Sequence, residues 1–284
     1  MQIAKIIVPV TGGPRDAVAL KTAIQAARPF NAHIDAIFAW PDPRDSIPQV
    51  GVPLSGEAIE SIIAGQAQAA STAARAARDT LGGVAASGGV EIVDKPAKAR
   101  AVTLRFLQET GRLAPVLLKA ARLADLVVFG PIEWALSVDV DEAFLEVLTK
   151  SGRPVLLSAE VPPRCLARHV AIGWDNSTAA AHAVTAAMPF LRGAETIDVL
   201  CIDGDIDCAP IAECMKLGGL SFRQRVIARD ARKPGEVLLD EAAHCGADLL
   251  VMGGYGHSHL RETFFGGVTS HLVSHATMPV LMMH

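Results

Sequence analysis

The sequence predicts an α/β fold made of two repeated, doubly wound parallel sheets of five strands each. Short apolar runs alternate with alanine-rich segments of helical periodicity along the 284 residues. Half of the residues are hydrophobic but only 5% are aromatic, so the core is expected to consist mainly of Val, Leu, Ile and Ala. That composition is typical of buried parallel strands covered by helices.

An internal repeat supports this fold class, because one order of landmarks occurs twice. The matching pairs are Lys5–Gly13 with His169–Ser177, Ala124–Gly130 with Ala247–Gly253, and Arg153–Leu156 with Met278–Leu281. Between the copies lies Pro162-Pro163, which cannot continue a helix or a central strand. We therefore expect one domain over residues 1–160 and a second over residues 165–284.

The first copy contains five short runs that predict strands and four periodic segments that predict helices. The strands are Ile3–Val10, His33–Trp40, Val102–Leu107, Leu126–Phe129 and Val155–Ser158. The helices are Asp16–Pro29, Glu57–Thr80, Leu113–Leu123 and Asp141–Lys150. Four prolines predict a loop over Pro41–Gly56, Gly82-Gly83 is expected to stop the second helix, and Ala85–Arg100 is ambiguous.

The second copy repeats the alternation in a more compact form. Its predicted strands are Val170–Trp174, Ile197–Ile202, Phe222–Ile227, Leu249–Met252 and Val280–Met283. Its predicted helices are Ala179–Phe190, Ile211–Lys216, Gly235–Cys245 and Val268–His275. Ligands of such doubly wound sheets bind beyond the carboxyl ends of the strands, at the point where the strand order reverses.

Composition also excludes several classes of protein. The formal charge of −4 provides no basic surface for nucleic acid. No apolar run reaches the roughly 18 residues of a membrane span, and residues 1–10 lead into a strand without the regions of a secretory signal. We therefore expect a cytoplasmic protein. Its five cysteines form no Cys-x2-Cys pair and are interpreted as buried, reduced thiols.

A glycine-rich stretch in the second copy is the principal functional signal. The strand Leu249–Met252 runs into Gly253 and Gly256, where missing side chains allow positive φ and close approach by a ligand. Gly266-Gly267 then precedes the helix Val268–His275, whose free amides point back toward the glycine turn. A helix amino terminus beside a glycine loop is an anion site by geometry, and phosphate is its commonest occupant.

The spacing Gly-x2-Gly-x9-Gly, set between Leu249–Met252 and Pro279–Met283, resembles the nucleotide-binding loop of the universal stress protein family. The resemblance implies strand order 3-2-1-4-5 in each domain. It implies that the second domain binds ATP or another adenine nucleotide, with or without Mg²⁺, in a stress-response or regulatory role. It also implies a homodimer of tandem chains.

The resemblance assigns roles to individual residues of the second copy. Asp175 contacts the adenine ring, Ile202 lies beside it through its backbone, and Met252 lies under the nucleoside. His257 contacts a phosphate. The ribose and phosphates are surrounded by Gly253, Gly256, Gly266, Gly267, Val268 and Thr269.

Two features of this site leave alternatives open. Asp175-Asn176-Ser177 is also ordinary capping chemistry for the following helix. Gly267 stands where many nucleotide-binding members of the family carry Ser or Thr, so that hydroxyl contact to phosphate is missing. A nucleotide-free interaction scaffold of the same fold is therefore the second hypothesis.

The corresponding loop of the first copy has lost the phosphate-binding pattern. Gly130 is retained, but Pro131 removes an amide, and Glu133 and Asp139 add negative charge. We expect a degenerate domain that has kept its fold and lost its ligand. The first copy also carries Thr11 at the position of Asp175.

An enzyme is the third and least favoured hypothesis. The chain has no Gly-x-Ser-x-Gly elbow, no Walker loop and no His-Glu-x2-His sequence. His271 and His275 share one helix face, but no carboxylate or cysteine completes a metal site at matching spacing. We expect no catalytic residues, no metal site, and at most slow ATP hydrolysis.

The last strand of each copy predicts how the two copies meet. Val155–Ser158 and Val280–Met283 are short and apolar, and each would be an exposed sheet edge in an isolated domain. Single-domain members of the resembled family dimerise through this strand. We therefore expect the two strands to pair antiparallel within one chain.

Overall fold

Eleven strands and eight α-helices are present among the described residues, and the strands form a single sheet. The computed structural model describes residues 2–43, 55–97, 100–132, 138–202, 206–228, 231–254 and 268–284. The strands are β1 (Lys5–Val10), β2 (His33–Trp40), β3 (Glu91–Ile92), β4 (Thr103–Thr110), β5 (Leu126–Phe129), β6 (Val155–Leu157), β7 (His169–Gly173), β8 (Thr196–Ile202), β9 (Arg223–Ile227), β10 (Leu249–Gly253) and β11 (Val280–Met283). The helices are α1 (Asp16–Ala27), α2 (Gly56–Gly88), α3 (Leu113–Ala121), α4 (Val138–Lys150), α5 (Thr178–Leu191), α6 (Ala209–Leu217), α7 (Pro234–His244) and α8 (Val268–His275).

The strand order is the same in the two halves of the sheet. Across the molecule it reads β3-β4-β2-β1-β5-β6-β11-β10-β7-β8-β9. When the two-residue strand β3 is set aside, each half has the order 3-2-1-4-5 along its own part of the chain, with parallel neighbours throughout. The expected α/β fold class with parallel strands is therefore confirmed.

The two halves meet at one antiparallel strand pair in the middle of the sheet. In the register of β6 and β11, Leu156 lies opposite Leu281 and Leu157 lies opposite Val280. Leu156 and Leu281 are fully buried. The pairing predicted from the two apolar edges is confirmed, because each edge removes the other from water.

Two apolar layers cover the sheet, and each extends over both halves. On one face, α1, α2, α5 and α6 pack on the strands through residues such as Leu20, Leu81 and Phe190. On the other face, α3, α4, α7 and α8 pack through residues such as Phe144 and Leu272. Because each layer is continuous across the β6–β11 seam, the two repeats share their core.

Helix α2 differs from its predicted boundaries. It has 33 residues and continues through Gly82 and Gly83, because Leu81, Val84 and Ala85 are buried against the sheet. The helix ends at Gly88, and its C-cap Gly89 has a left-handed φ of 63°. Long as α2 is, neither it nor any other helix within the described ranges combines the length and apolarity that crossing a membrane requires.

The ambiguous segment Ala85–Arg100 contains the end of α2 and the short strand β3, which pairs with β4. Strand β4 itself extends to Thr110, beyond the predicted end at Leu107. Its additional residues pair with the end of β2, opposite Ala39 and Trp40. Backbone pairing with a neighbouring strand therefore lengthens β4 where its own apolar pattern stops.

A buried carboxylate lies at the third residue of the second strand in each half. In the first half, Asp35 is 1% exposed and accepts bonds from Arg105 Nε at 2.7 Å, Lys5 Nζ at 3.0 Å and His33 Nε2 at 3.0 Å. Burial acts to raise the pKa of Asp35, but these three donors outweigh it and hold the pKa well below its ordinary value. The charge is therefore compensated inside the core.

The second half repeats this arrangement with Asp198, which is 2% exposed and pairs with Arg223 and Arg225 of the edge strand β9. The repeat thus includes a buried Asp–Arg contact that joins the second strand to the third. Sequence periodicity did not predict it, because a polar residue within an apolar strand ordinarily suggests an exposed position.

Candidate functional site

The candidate site lies at the carboxyl ends of β7, β8 and β10. Strand β7 is between the other two, and the chain passes to β8 on one side and reaches β10 on the other only after β9. The order reverses between β7 and β10, where doubly wound sheets bind their ligands. Met252 is level with Gly173 in the β10–β7 register. The residues that follow these strands, Gly254 and Asp175, therefore emerge at the same edge.

Asp175 is exposed at this edge and opens the turn that leads into α5. Its Oδ1 accepts the Ser177 amide at 3.0 Å, and Asn176 between them has a left-handed φ of 59°. Ser177 Oγ in turn accepts the Ala180 amide at 3.1 Å and caps the helix. The capping role is thus real, but it uses one carboxylate oxygen. Among the described residues, Oδ2 has no hydrogen-bond partner.

Gly253 is required for packing rather than for an unusual backbone angle. Its φ lies outside the left-handed region, so the positive φ that the sequence allows there is not used. A Cβ at this position would lie 2.7 Å from the Ala180 nitrogen and 2.9 Å from the Ala179 carbonyl carbon. The missing side chain therefore brings the first turn of α5 against the end of β10.

Gly254 fixes the base of the glycine loop and was not singled out by its spacing. Its amide donates to the Met283 carbonyl at 2.8 Å, and its carbonyl accepts from His284 Nδ1 at 3.1 Å. The His284 carbonyl accepts from His182 Nδ1 at 3.1 Å. A Cβ on Gly254 would lie 3.1 Å from Leu148 Cδ2 of α4. The start of the loop therefore touches the first half of the molecule.

The remaining predicted site residues fall into two groups. Ile202 ends β8 at the same edge as Asp175, and Met252 is buried at 5% exposure in the layer that faces α7 and α8. Val268 and Thr269 are the first two residues of α8. The other predicted residues lie outside the described part of the chain: Gly256, His257, Gly266 and Gly267.

The equivalent edge of the first half is filled by the protein itself. The amides of Thr11 and Gly12 donate to the Asp16 carboxylate at 3.0 and 2.7 Å. Burial raises the pKa of Asp16, and these hydrogen bonds partly offset that effect. Gly12 has a φ of 84°, and a Cβ there would lie 2.4 Å from the Ala73 oxygen of α2. An internal anion and a covering helix thus occupy the space beyond β1.

Gly12 and Asn176 show the repeat at the level of backbone conformation. Each follows the first strand of its half, and each is left-handed. Pro131, which was expected to remove an amide in the first half, is buried, and Asp139 lies in the first turn of α4. Glu133 lies outside the described residues.

The cysteines correct the expectation of buried, reduced thiols. Cys201 and Cys208 form a disulfide, and Cys214 is exposed on α6. Cys165 and Cys245 are half-buried and free. The pair escaped prediction because its seven-residue spacing is no recognised cysteine pattern. The two sulfur atoms meet only in the folded chain, between the end of β8 and the start of α6.

His271 and His275 stack with ring centroids 4.2 Å apart. His275 Nδ1 bonds to the His271 carbonyl at 2.9 Å, so that nitrogen is already engaged. Burial, followed by the neighbouring His275, lowers the pKa of His271. Within the described residues, no group of three or more His, Cys, Asp or Glu side chains could hold a metal ion.

Comparisons with known proteins agree with this architecture. Residues 217–284 match the family model described as Universal stress protein family. A universal stress protein from Archaeoglobus fulgidus DSM 4304 superposes with a TM-score of 0.67 at 12% identity, covering 99% of this chain and 96% of that chain.

A functionally unknown protein from Pseudomonas aeruginosa PAO1 superposes with a TM-score of 0.58 at 12% identity, covering 99% of this chain and 92% of that chain. At these identities the likeness concerns the fold. No curated protein matches the chain in sequence.

Proposed function

We propose that this chain, which carries a universal stress protein domain at its carboxyl terminus and has the universal stress protein fold throughout, binds an adenine nucleotide in its second half and acts in a stress response. One observation carries the proposal. Asp175 and Gly253-Gly254 leave adjacent strands on the two sides of the switch point, where the fold places its ligand.

The proposed pose follows the polarity of this edge. The free oxygen of Asp175 accepts from the exocyclic amino group of adenine, with Ile202 and Met252 beside the nucleoside. The phosphates, with or without Mg²⁺, lie toward the amino terminus of α8, because the first amides of a helix have no acceptor within the helix itself. This part of the proposed site is completed by Gly256, His257, Gly266, Gly267, Val268 and Thr269.

The first half is proposed to bind no nucleotide. Asp16 already accepts the two amides that follow β1, and its charge repels a phosphate. Ala73 of α2 approaches Gly12 so closely that no ligand fits between them. The proposed difference in nucleotide binding between the two halves therefore has a steric and an electrostatic cause.

Replacing Asp175 by Asn is the sharpest test of the adenine contact. The Asn carbonyl oxygen still accepts the Ser177 amide, so the capping turn is retained. The amide nitrogen now faces the adenine amino group, donor against donor, but suits the guanine carbonyl. We expect ATP affinity to fall by about 1–3 kcal/mol and the ATP/GTP preference to shift toward GTP, measured by calorimetry.

Thr11→Ala is the matched control, because Thr11 occupies the corresponding position of the first half and is exposed. It should leave nucleotide affinity unchanged. If Asp175→Asn and Thr11→Ala bind ATP and GTP as the unaltered chain does, Asp175 is a helix cap alone.

Hydrolysis of ATP is expected to be very slow. Phosphoryl transfer depends on positioned cations and on a group that orients water. The sequence offers no recognised set of such groups at the proposed site. A steady-state phosphate-release assay should give turnover far below about 1 per second, the low end of typical enzymes. Faster turnover would reveal an active site that this proposal lacks.

A nucleotide-free scaffold is the second candidate, and Gly267 is the observation that favours it. A glycine offers a backbone amide to phosphate but no hydroxyl. Mass spectrometry of small molecules released from denatured protein, purified without added nucleotide, separates the two candidates. An adenine nucleotide in near-stoichiometric amount supports the first, and its absence together with no binding by calorimetry supports the second. A dimer of whole chains stays a prediction for light scattering.

A further inference from the structure

The disulfide between Cys201 and Cys208 joins a strand end to a helix start. Cys201 is the next-to-last residue of β8, and Cys208 is the N-cap of α6. Both belong to the apolar layer of that face, at 1% and 8% exposure, beside Ile211 and Met215 of α6. A bond here attaches α6 directly to the sheet.

A second contact holds the same segment. Trp174, which precedes Asp175 at the end of β7, donates its indole Nε1 to the Asp207 carbonyl at 3.0 Å. Trp174 is buried at 6% exposure. The residues before α6 are therefore held to β7 by the Trp174 hydrogen bond and to β8 by the disulfide. Only the second of these contacts is covalent.

The other three cysteines differ from this pair in their surroundings. Burial, followed by the hydrogen bond to Asp248, raises the pKa of the Cys165 thiol, whose Sγ donates to Asp248 Oδ2 at 3.3 Å. Burial, followed by the charge of Asp198, raises the pKa of the Cys245 thiol. A raised pKa disfavours the thiolate, which is the reactive form. Cys214 is exposed on α6 and free.

We propose that Cys201 and Cys208 form a peroxide-sensitive dithiol whose oxidation fastens the start of α6 to β8. The thiolate of Cys208 attacks one oxygen of hydrogen peroxide, the O–O bond breaks, and a sulfenic acid and water result after proton uptake. The Cys201 thiolate then attacks that sulfenic sulfur, the S–S bond forms, and a second water leaves. Two thiols and one peroxide thus give one disulfide and two waters, and an external dithiol reverses the change.

Position assigns the two roles. Cys208 is the more exposed residue of the pair, at 8% against 1%, and it is the N-cap of the nine-residue helix α6, so peroxide reaches it first. Cys201 lies within the end of a buried strand and suits the second, intramolecular step. The proposal stands on the thiol pair alone and does not depend on nucleotide binding.

The test uses full-length protein in a Cys214→Ser background, which removes the exposed thiol and its intermolecular reactions. Protein reduced with dithiothreitol is treated with one equivalent of hydrogen peroxide, and the remaining thiols are alkylated and mapped by mass spectrometry. We expect a Cys201–Cys208 crosslink with a loss of about 2 Da, the mass of two hydrogens, and its full reversal by dithiothreitol under native conditions.

Hydrogen exchange provides the second readout. Closing a short loop restricts local opening, so amides of residues 206–217 should exchange at least about tenfold more slowly in the oxidised protein. Cys201→Ser should abolish that difference and leave a dimedone-reactive sulfenic acid on Cys208. Cys208→Ser should leave much less adduct on Cys201, and Cys245→Ser should behave as the background.

Several results would overturn the proposal. They are Cys201 and Cys208 both still alkylatable after peroxide, a crosslink to Cys165 or Cys245, a bond that native dithiothreitol does not reduce, or equal exchange of α6 in the two states. Equal dimedone labelling of both single variants would overturn the assignment of Cys208 as the attacking thiol. Loss of nucleotide binding would affect none of these readouts. Failure of the proposed function can therefore be distinguished from failure of the disulfide proposal.

Discussion

Replacing Leu281 by lysine is expected to lower the free energy of unfolding by about 4 kcal/mol or more. Leu281 is fully buried in β11 and lies opposite Leu156, where the two halves share one sheet. The lysine removes apolar contacts from the core and places a charge in a fully buried apolar layer. Separation of the halves exposes two apolar strand edges, so aggregation should accompany the loss of stability.

Denaturant unfolding followed by circular dichroism, with light scattering for aggregation, measures this effect. Val226→Lys is the matched control, because Val226 lies on the edge strand β9 of the same sheet and is 59% exposed. That change should stay within about 0.5 kcal/mol. Equal unfolding midpoints for Leu281→Lys and Val226→Lys would show that the β6–β11 seam does not hold the halves together.

Asp35→Ala is expected to cost about 3–5 kcal/mol of stability, the usual result of removing one partner from a buried ion pair. The Arg105 side chain is 21% exposed and loses its carboxylate partner, whereas Lys5, at 37%, can partly return to water. His33 also loses the acceptor of its Nε2. The measurement is again equilibrium denaturation.

The control for Asp35 is Asp240→Ala. Asp240 is 57% exposed and forms an ion pair with Arg232 at 3.0 Å on the surface. Exposed pairs of this kind contribute about 0–1 kcal/mol. If the two alanine variants lose stability equally, the buried carboxylate contributes no more than a surface one, contrary to this prediction.

Acid should weaken the fold through the same carboxyl group. The pKa of Asp35 is lower in the folded chain than in the unfolded chain, so its stabilising effect is present above the unfolded value of about 4. That effect is lost as pH falls toward the folded pKa. Between about pH 5 and pH 2, the unaltered protein should lose more stability than Asp35→Asn, because the variant has no proton to bind there. Parallel pH profiles would contradict this prediction.

The central strands could be predicted because burial on both faces leaves a continuous apolar run in the sequence. β1, β5, β7 and β10 are of this kind, and their positions agree with prediction within two residues. The pairing of β6 with β11 could also be predicted, since an apolar edge must be covered. Edge elements were less predictable: β3 has two exposed residues and no apolar pattern.

The sequence predicted where the candidate site lies, but it did not predict the structural role of each residue there. A strand followed by glycines marks the edge of the sheet, and the repeat places Asp175 at the same edge. From the sequence, the missing side chain of Gly253 was expected to let a ligand approach. In the structure it lets the first turn of α5 pack against the end of β10. Close approach of two backbones depends on packing between elements, which no local pattern encodes.

Local pattern by itself determined the fold class, the repeat, the apolar strands and the edge of the sheet that carries the candidate site, because these follow from period, composition and spacing along the chain. The tertiary structure decided where α2 ends and why only glycine fits at position 253. It also decided which cations compensate the charge of Asp35 and that Cys201 pairs with Cys208. Each of these depends on contacts between different helices and strands. Gly82-Gly83 shows the difference: glycine weakens a helix locally, and burial of Leu81 and Val84 outweighs that weakness.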